Sequence, residues 1–235
     1  MRTKKVAILQ SNYIPWKGYF DIISSVDEFI FYDEVQYTKN DWRNRNLIKT
    51  NNGLQWLSIP VMTKGHLTNS TKICDATIKD SSWAKKHWQT IYQFYRKAPY
   101  FNKYSEVFAE LYDLAEKEEK LCRVNYLIIQ QILKILNINT KISFSQDYGL
   151  IQGKTERLVD LVTKANGNEY LSGPAAKSYI DKSLFDKANI TLSWINYEGY
   201  KEYPQLYPPF KHQVSIIDLI FNCGPNSSLY LKSHK

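Results

Sequence analysis

The feature that most constrains this chain lies in residues 6–32. A short apolar run, Val6-Ala7-Ile8-Leu9, opens into a turn containing Pro15 and Gly18. A short amphipathic stretch follows over 19–25, with Phe20 and Ile23 at helical spacing, and then a second apolar run, Phe29-Ile30-Phe31-Tyr32. Two strands joined by a helix cannot form a tight antiparallel hairpin; the crossover brings the second strand back parallel to the first. A βαβ unit of this kind predicts a parallel sheet covered by helices, with any ligand held beyond the carboxyl ends of the strands.

The rest of the chain extends that pattern. Residues 37–53 are polar and aperiodic and read as a long loop or an irregular hairpin; 54–61 reads as a strand, and 65–80 as a weakly alternating strand pair. Helices are expected at 82–97, with Ser82 as a cap, at 103–119 and at 121–136, where Leu121, Asn125, Ile128, Ile132 and Leu136 share a face. Strands at 141–145, 169–171 and 191–195 alternate with helices at 155–164, 175–185 and 215–221, and a Tyr/Pro-rich loop spans 197–210. The expectation is a single α/β domain over 1–235, with a helical insertion at about 83–136.

Hydrophobic residues make up 43% of the 235, enough for a sizeable core, so a disordered chain is excluded. The net charge of +8 favours anionic partners. Most lysines are scattered, and no arginine stripe or nucleic-acid module stands out, so a phosphorylated small molecule is expected rather than nucleic acid. The aromatics, 18 Tyr, 10 Phe and 6 Trp, suit a cleft for ring-bearing or sugar-like ligands. Three separated cysteines without a CxxC argue for a reducing compartment. No apolar run approaches the roughly 20 residues of a membrane span, and the chain enters a strand at once without a leader pattern. A cytoplasmic protein with no membrane insertion is therefore expected. His66, His87, His212 and His234 show no metal-ligating spacing, so no metal is expected.

Four constellations carry candidate chemistry. The turn after the first strand offers Gln10, Asn12, Tyr13, Trp16, Lys17, Gly18 and Tyr19, with a glycine for close backbone approach and a helix start that favours an anion. Directly after the second strand, Asp33 is a candidate general base and Gln36 a ligand contact. Next, Arg43, Asn44, Arg45 and Lys49 form a basic cluster; in an extended segment the three cations would share one side and match a phosphate. Finally, Ser172 and Gly173 form a strand–turn–helix junction of the same anion-accepting kind, without a nucleophile elbow. His212, before the last apolar helix, is a second acid/base candidate. Gly153-Lys154-Thr155 lacks the rest of a phosphate-binding loop and reads as a helix start.

These residues also carry a resemblance. The segments 8–20, 32–37 and 41–46, with 170–177 and 215–222, resemble the WbqC-like protein family over nearly the whole chain. The later motifs bring Asp218 and Asn222 among the expected substrate contacts. Members of that family are commonly encoded among genes for O-antigen and other surface polysaccharides, so the resemblance implies lipopolysaccharide-type biosynthesis. A second, looser similarity in layout is to the nucleotidylyltransferase and pantothenate synthetase group, which implies a Rossmann/HUP-like nucleotide-binding core. Trp16 and Tyr19 stand where that group has histidines, which speaks against adenylyl transfer. The function these resemblances imply is a transferase placing an acyl or aminoacyl group, from an activated donor, on a nucleotide-linked amino sugar. The alternatives are a silent nucleotide-binding module in a glycan-synthesis complex and a nucleotidyl-transferring enzyme without the usual histidines.

Overall fold

A computed structural model describes residues 3–62 and 71–233. Its centre is a five-stranded, fully parallel sheet in the order β5-β2-β1-β6-β7. The strands are β1 (Lys5–Leu9), β2 (Glu28–Phe31), β5 (Lys141–Phe144), β6 (Glu169–Ser172) and β7 (Thr191–Trp194). The predicted βαβ unit is present, with α1 (Lys17–Ser24) as its crossover. Val6, Ala7, Phe29 and Ile30 are fully buried, which is why both strands read as unbroken apolar runs.

Helices cover both faces. On one side, α1, α2 (Ser82–Tyr95), α3 (Phe101–Ala115), α4 (Leu121–Ile135) and α7 (Ile216–Cys223) contribute to one continuous apolar cluster with the sheet. On the other, α5 (Thr155–Lys164) and α6 (Lys182–Lys187) bury Leu158, Leu161, Val162 and Phe185 against Val6, Ile8 and Tyr170. The α/β class, the parallel sheet and the run of helices before β5 are as the sequence implies.

Three segments differ from expectation. The 37–53 stretch ends in a regular antiparallel hairpin, β3 (Arg45–Thr50) with β4 (Gly53–Ser58), closed by a turn in which Gly53 takes φ +100° and Thr50 Oγ1 donates to its carbonyl at 2.9 Å. The strand pair expected over 65–80 falls partly outside the described residues; from 71 onward the chain makes a 3-10 turn at Ile73–Asp75 and isolated bridges such as Gln36 with Lys72. The helix expected over 175–185 is two pieces. Pro174 starts a 3-10 turn, and Asp181 caps a fresh helix by accepting from the Ser183 N–H at 2.9 Å.

One detail of register creates the site. β1 pairs with β2 through to Leu9 and Phe31, but with β6 only at Lys5–Glu169 and Val6–Tyr170. Beyond that point β1 and β6 part. The chain order also reverses between these two strands, the topological switch point at which open α/β sheets hold ligands.

Candidate functional site

A crevice of about 450 Å³ fills the gap between the parted strands. Its floor is Ile8, Leu9 and Tyr170; its rim holds Gln10 from the end of β1, Tyr32 and Val35 beyond β2, and Ser172 and Gly173 at the end of β6. Three cationic side chains, Arg43, Lys154 and Arg157, also line it, and among the described residues no carboxylate does. Lys154 and Arg157 come with the first turn of α5, whose backbone N–H groups carry partial positive charge. The Arg157 Nε–H donates to the Ile151 carbonyl at 2.6 Å, which fixes the guanidinium against the loop. Arg43 donates to the Asn12 side-chain oxygen and lies 3.5 Å from Asp41.

Gly173 has an ordinary φ of −75°, and a Cβ there would meet nothing within 4 Å. Neither backbone conformation nor the protein's own packing requires glycine at this position, and the space beside it is the crevice.

The loop from β1 to α1 is strained and heavily supported. Ile14 takes φ +35°, unusual for a β-branched residue. Asn46 Nδ2 holds it by donating to the carbonyls of Tyr13 (3.1 Å) and Ile14 (2.9 Å). Ser11 is tied to Asp33, whose carboxylate accepts from the Ser11 N–H at 2.8 Å. Asn125 Nδ2 reaches the Ser11 hydroxyl at 3.1 Å and the Arg43 carbonyl at 2.9 Å. Burial pushes the Asp33 carboxyl up, while the Ser11 hydrogen bonds and Arg43 pull it back. Asp33 thus braces the loop that carries Gln10 and Asn12, and lines a separate cavity of about 130 Å³.

Several residues expected at the ligand do other work. Tyr13 is fully buried, its hydroxyl bonded to His87 Nδ1 (2.8 Å) and the Tyr112 hydroxyl (2.7 Å), so it anchors the helical insertion. Gly18 is needed because a Cβ would strike the Trp16 ring at 2.3 Å. Tyr19 donates to the Gln10 carbonyl at 2.9 Å and props the crevice edge from behind. Gln36 is exposed and bridges to Lys72. Asn44 is buried and donates to the Ile59 carbonyl at 2.9 Å.

The basic cluster does not converge. Arg43 precedes the hairpin and turns into the crevice, whereas Arg45 stacks on Trp56, 4.1 Å from its ring centroid. Lys49 is buried and donates to Gln205 Oε1 at 2.8 Å and to the Pro209 carbonyl. There it joins a polar network around Asp218. This carboxylate accepts from the Tyr95 hydroxyl (2.8 Å), the Tyr203 hydroxyl (2.6 Å) and Gln205 Nε2 (2.8 Å). Asn222 accepts from the Leu206 N–H at 3.2 Å. Asp218 and Asn222 therefore fasten the segment 197–213 across α7 as a strap. The strap covers Lys17, whose ammonium lies 4.8 Å from the Tyr200 ring centroid and 5.2 Å from that of Tyr203. Burial brings that amine down to about 8. The start of α1 is thus closed over, with the Ile216 N–H donating to the Pro15 carbonyl at 2.9 Å, and the helix start that lines the crevice is that of α5. His212 lies on the strap, its ring 4.7 Å from that of Phe210, and burial and then the charge of Lys17 hold its pKa below the usual value.

Of the residues singled out in the sequence, Gln10, Arg43, Ser172 and Gly173 meet in the crevice. Lys154 and Arg157 were missed. Their signal was present in Gly153-Lys154-Thr155, which is no phosphate-binding loop by pattern but opens a helix at the switch point.

Comparison with known proteins agrees with the extent of these motifs. The sequence profile of the WbqC-like protein family matches residues 10–230. The chain is 47% identical over 229 residues to the uncharacterized protein Rv1507c of Mycobacterium tuberculosis, covering 97% of this chain and 98% of that one. No solved structure matches. With a match that spans almost its whole length, this chain belongs to the WbqC-like protein family.

Proposed function

We propose that the switch-point crevice binds a nucleotide-linked amino sugar through its diphosphate, and that the protein transfers an acyl or aminoacyl group to the sugar's amine. The observation that carries this reading is the charge of the lining: three cations, the first turn of α5, and no acid among the described residues. A diphosphate matches two guanidinium forks and a lysine at one end of a parallel sheet. Gly173, with open space where a side chain would stand, supports close approach of that phosphate.

In the transfer, the amine nitrogen attacks the carbonyl carbon of an activated donor. The new C–N bond forms as the donor's leaving group departs, and the amine proton goes to a base. We assign that role to His212 on the strap, whose pKa burial and the charge of Lys17 lower. Asp33 serves the same chemistry indirectly, by holding Ser11 and the loop that bears Gln10.

The test is calorimetry with UDP, dTDP, CDP and GDP and their amino sugars. One nucleoside diphosphate should bind, and Arg157→Ala should weaken it by roughly tenfold or more, the worth of a charge-assisted hydrogen bond. Millimolar diphosphates that bind no better than inorganic phosphate would overturn the reading. A second reading, a nucleotide-binding module without turnover, is favoured by the commitment of the Asp33 carboxylate to Ser11. Binding of the sugar nucleotide with no consumption of thioester or aminoacyl donors would select it.

A further inference from the structure

A second cavity, of about 410 Å³, opens beside the crevice. Asn12 lines it, and through the bond from Arg43 to the Asn12 side-chain oxygen the two spaces share a wall. Two indole rings, Trp16 and Trp42, face this cavity, together with Pro15, Leu47 and the carboxamide of Gln213. We propose that it is a pyranose subsite, in which the sugar ring stacks on Trp42 and is hydrogen-bonded by Asn12 and Gln213.

Trp42 is 45% exposed and Trp56 is 42% exposed. Their rings lie 5.6 Å apart at 41°, and the Arg45 guanidinium backs Trp56. Large aromatics left in water forgo considerable burial, so a supported, exposed pair calls for a reason. The backbone beneath Trp42 is pinned: its carbonyl accepts from the Tyr13 N–H at 3.0 Å and its N–H donates to Asp41 Oδ1 at 2.7 Å. The ring is therefore presented on a fixed support and loses little freedom when a ligand covers it.

The polar groups suit an uncharged, hydroxyl-rich ring. Asn46 is spent on the strained Ile14 turn. The Asn12 oxygen is taken by Arg43, while its Nδ2 and both ends of the Gln213 amide have no partner among the described residues. Amide donors and acceptors beside an indole face recognise alternating C–H and O–H surfaces. Among the described residues no acid or base lines this cavity, in contrast to the cationic crevice. His212 directly precedes Gln213 in the chain.

The choice of a sugar rests on the reading of the crevice, but the test separates the two. Saturation-transfer NMR and tryptophan fluorescence would be measured with methyl glycosides of glucosamine and N-acetylglucosamine, and calorimetry with UDP, dTDP, CDP and GDP. A glycoside should bind weakly to the wild-type chain, and Trp42→Ala and Gln213→Ala should each weaken it at least fivefold, with any diphosphate affinity unchanged. Arg157→Ala should do the reverse. Glycosides that fail to bind, or that bind Trp42→Ala and Gln213→Ala as well as wild type, overturn the subsite. Diphosphates that fail to bind while glycosides still depend on Trp42 overturn only the reading of the crevice.

Discussion

Replacing Asp218 should unfasten the strap at a calculable cost. The carboxylate is fully buried and accepts three hydrogen bonds. In Asp218→Ala the Gln205 amide keeps the Lys211 carbonyl at 3.1 Å, so it is not orphaned. The Tyr95 and Tyr203 hydroxyl protons are, at about 1–3 kcal/mol each. The buried Lys49 also loses the negative charge nearest it, keeping only neutral partners. The two hydroxyls together come to about 2–6 kcal/mol, to which the loss at Lys49 adds. Asp218→Asn keeps one oxygen for Tyr203 and Gln205 and removes a carboxylate whose burial already pushes its pKa up, so it should cost only about 1–2 kcal/mol. Urea unfolding followed by tryptophan fluorescence measures both, and limited proteolysis should show earlier cleavage within 197–213 for the alanine variant. A loss below about 1 kcal/mol for Asp218→Ala, or equal losses for the two variants, would show that these bonds do not hold the strap.

Gly173→Ala should leave stability within about 0.5 kcal/mol of wild type, since φ is ordinary and the space is open, yet lower diphosphate affinity at least tenfold by calorimetry. His87, pulled down to about 4 by burial, binds fewer protons folded than unfolded. Its contribution should be complete above about pH 6.5 and lost as pH falls through 4, about 3 kcal/mol in all by denaturation at stepped pH, and flattened in His87→Gln. Tyr13→Phe should cost about 1–2 kcal/mol, because it strips His87 and Tyr112 of a shared partner.

The parts of this fold that were legible are those whose side-chain period reports burial directly. Val6–Leu9 and Phe29–Tyr32 are apolar throughout because both sheet faces are covered, and the stripe on α4 marks the face it buries. The lining of the candidate site was legible where a residue sits at a strand end, as Gln10, Ser172 and Gly173 do. It was illegible where tertiary placement overrides spacing. Arg43 and Arg45 alternate in sequence, but a turn lies before Arg45, so strand geometry governs only the second. Asp218 and Asn222 entered as expected contacts through the later family motifs; their partners, Tyr203 and Leu206, come from a strap with no periodicity to announce it. Lys154 and Arg157 needed the strand order, which no local pattern contains.

The placement of β1 has a consequence for biosynthesis. One edge of this strand is covered as soon as β2 follows it, but the other waits for Glu169 and Tyr170. At about 5–20 residues per second, a ribosome leaves that edge unpaired for roughly 10–30 s. During that interval an apolar strand destined for the middle of the sheet is open to the edges of other nascent chains. Yield in a cell should accordingly respond to chaperone supply more steeply than the stability of the finished protein would suggest.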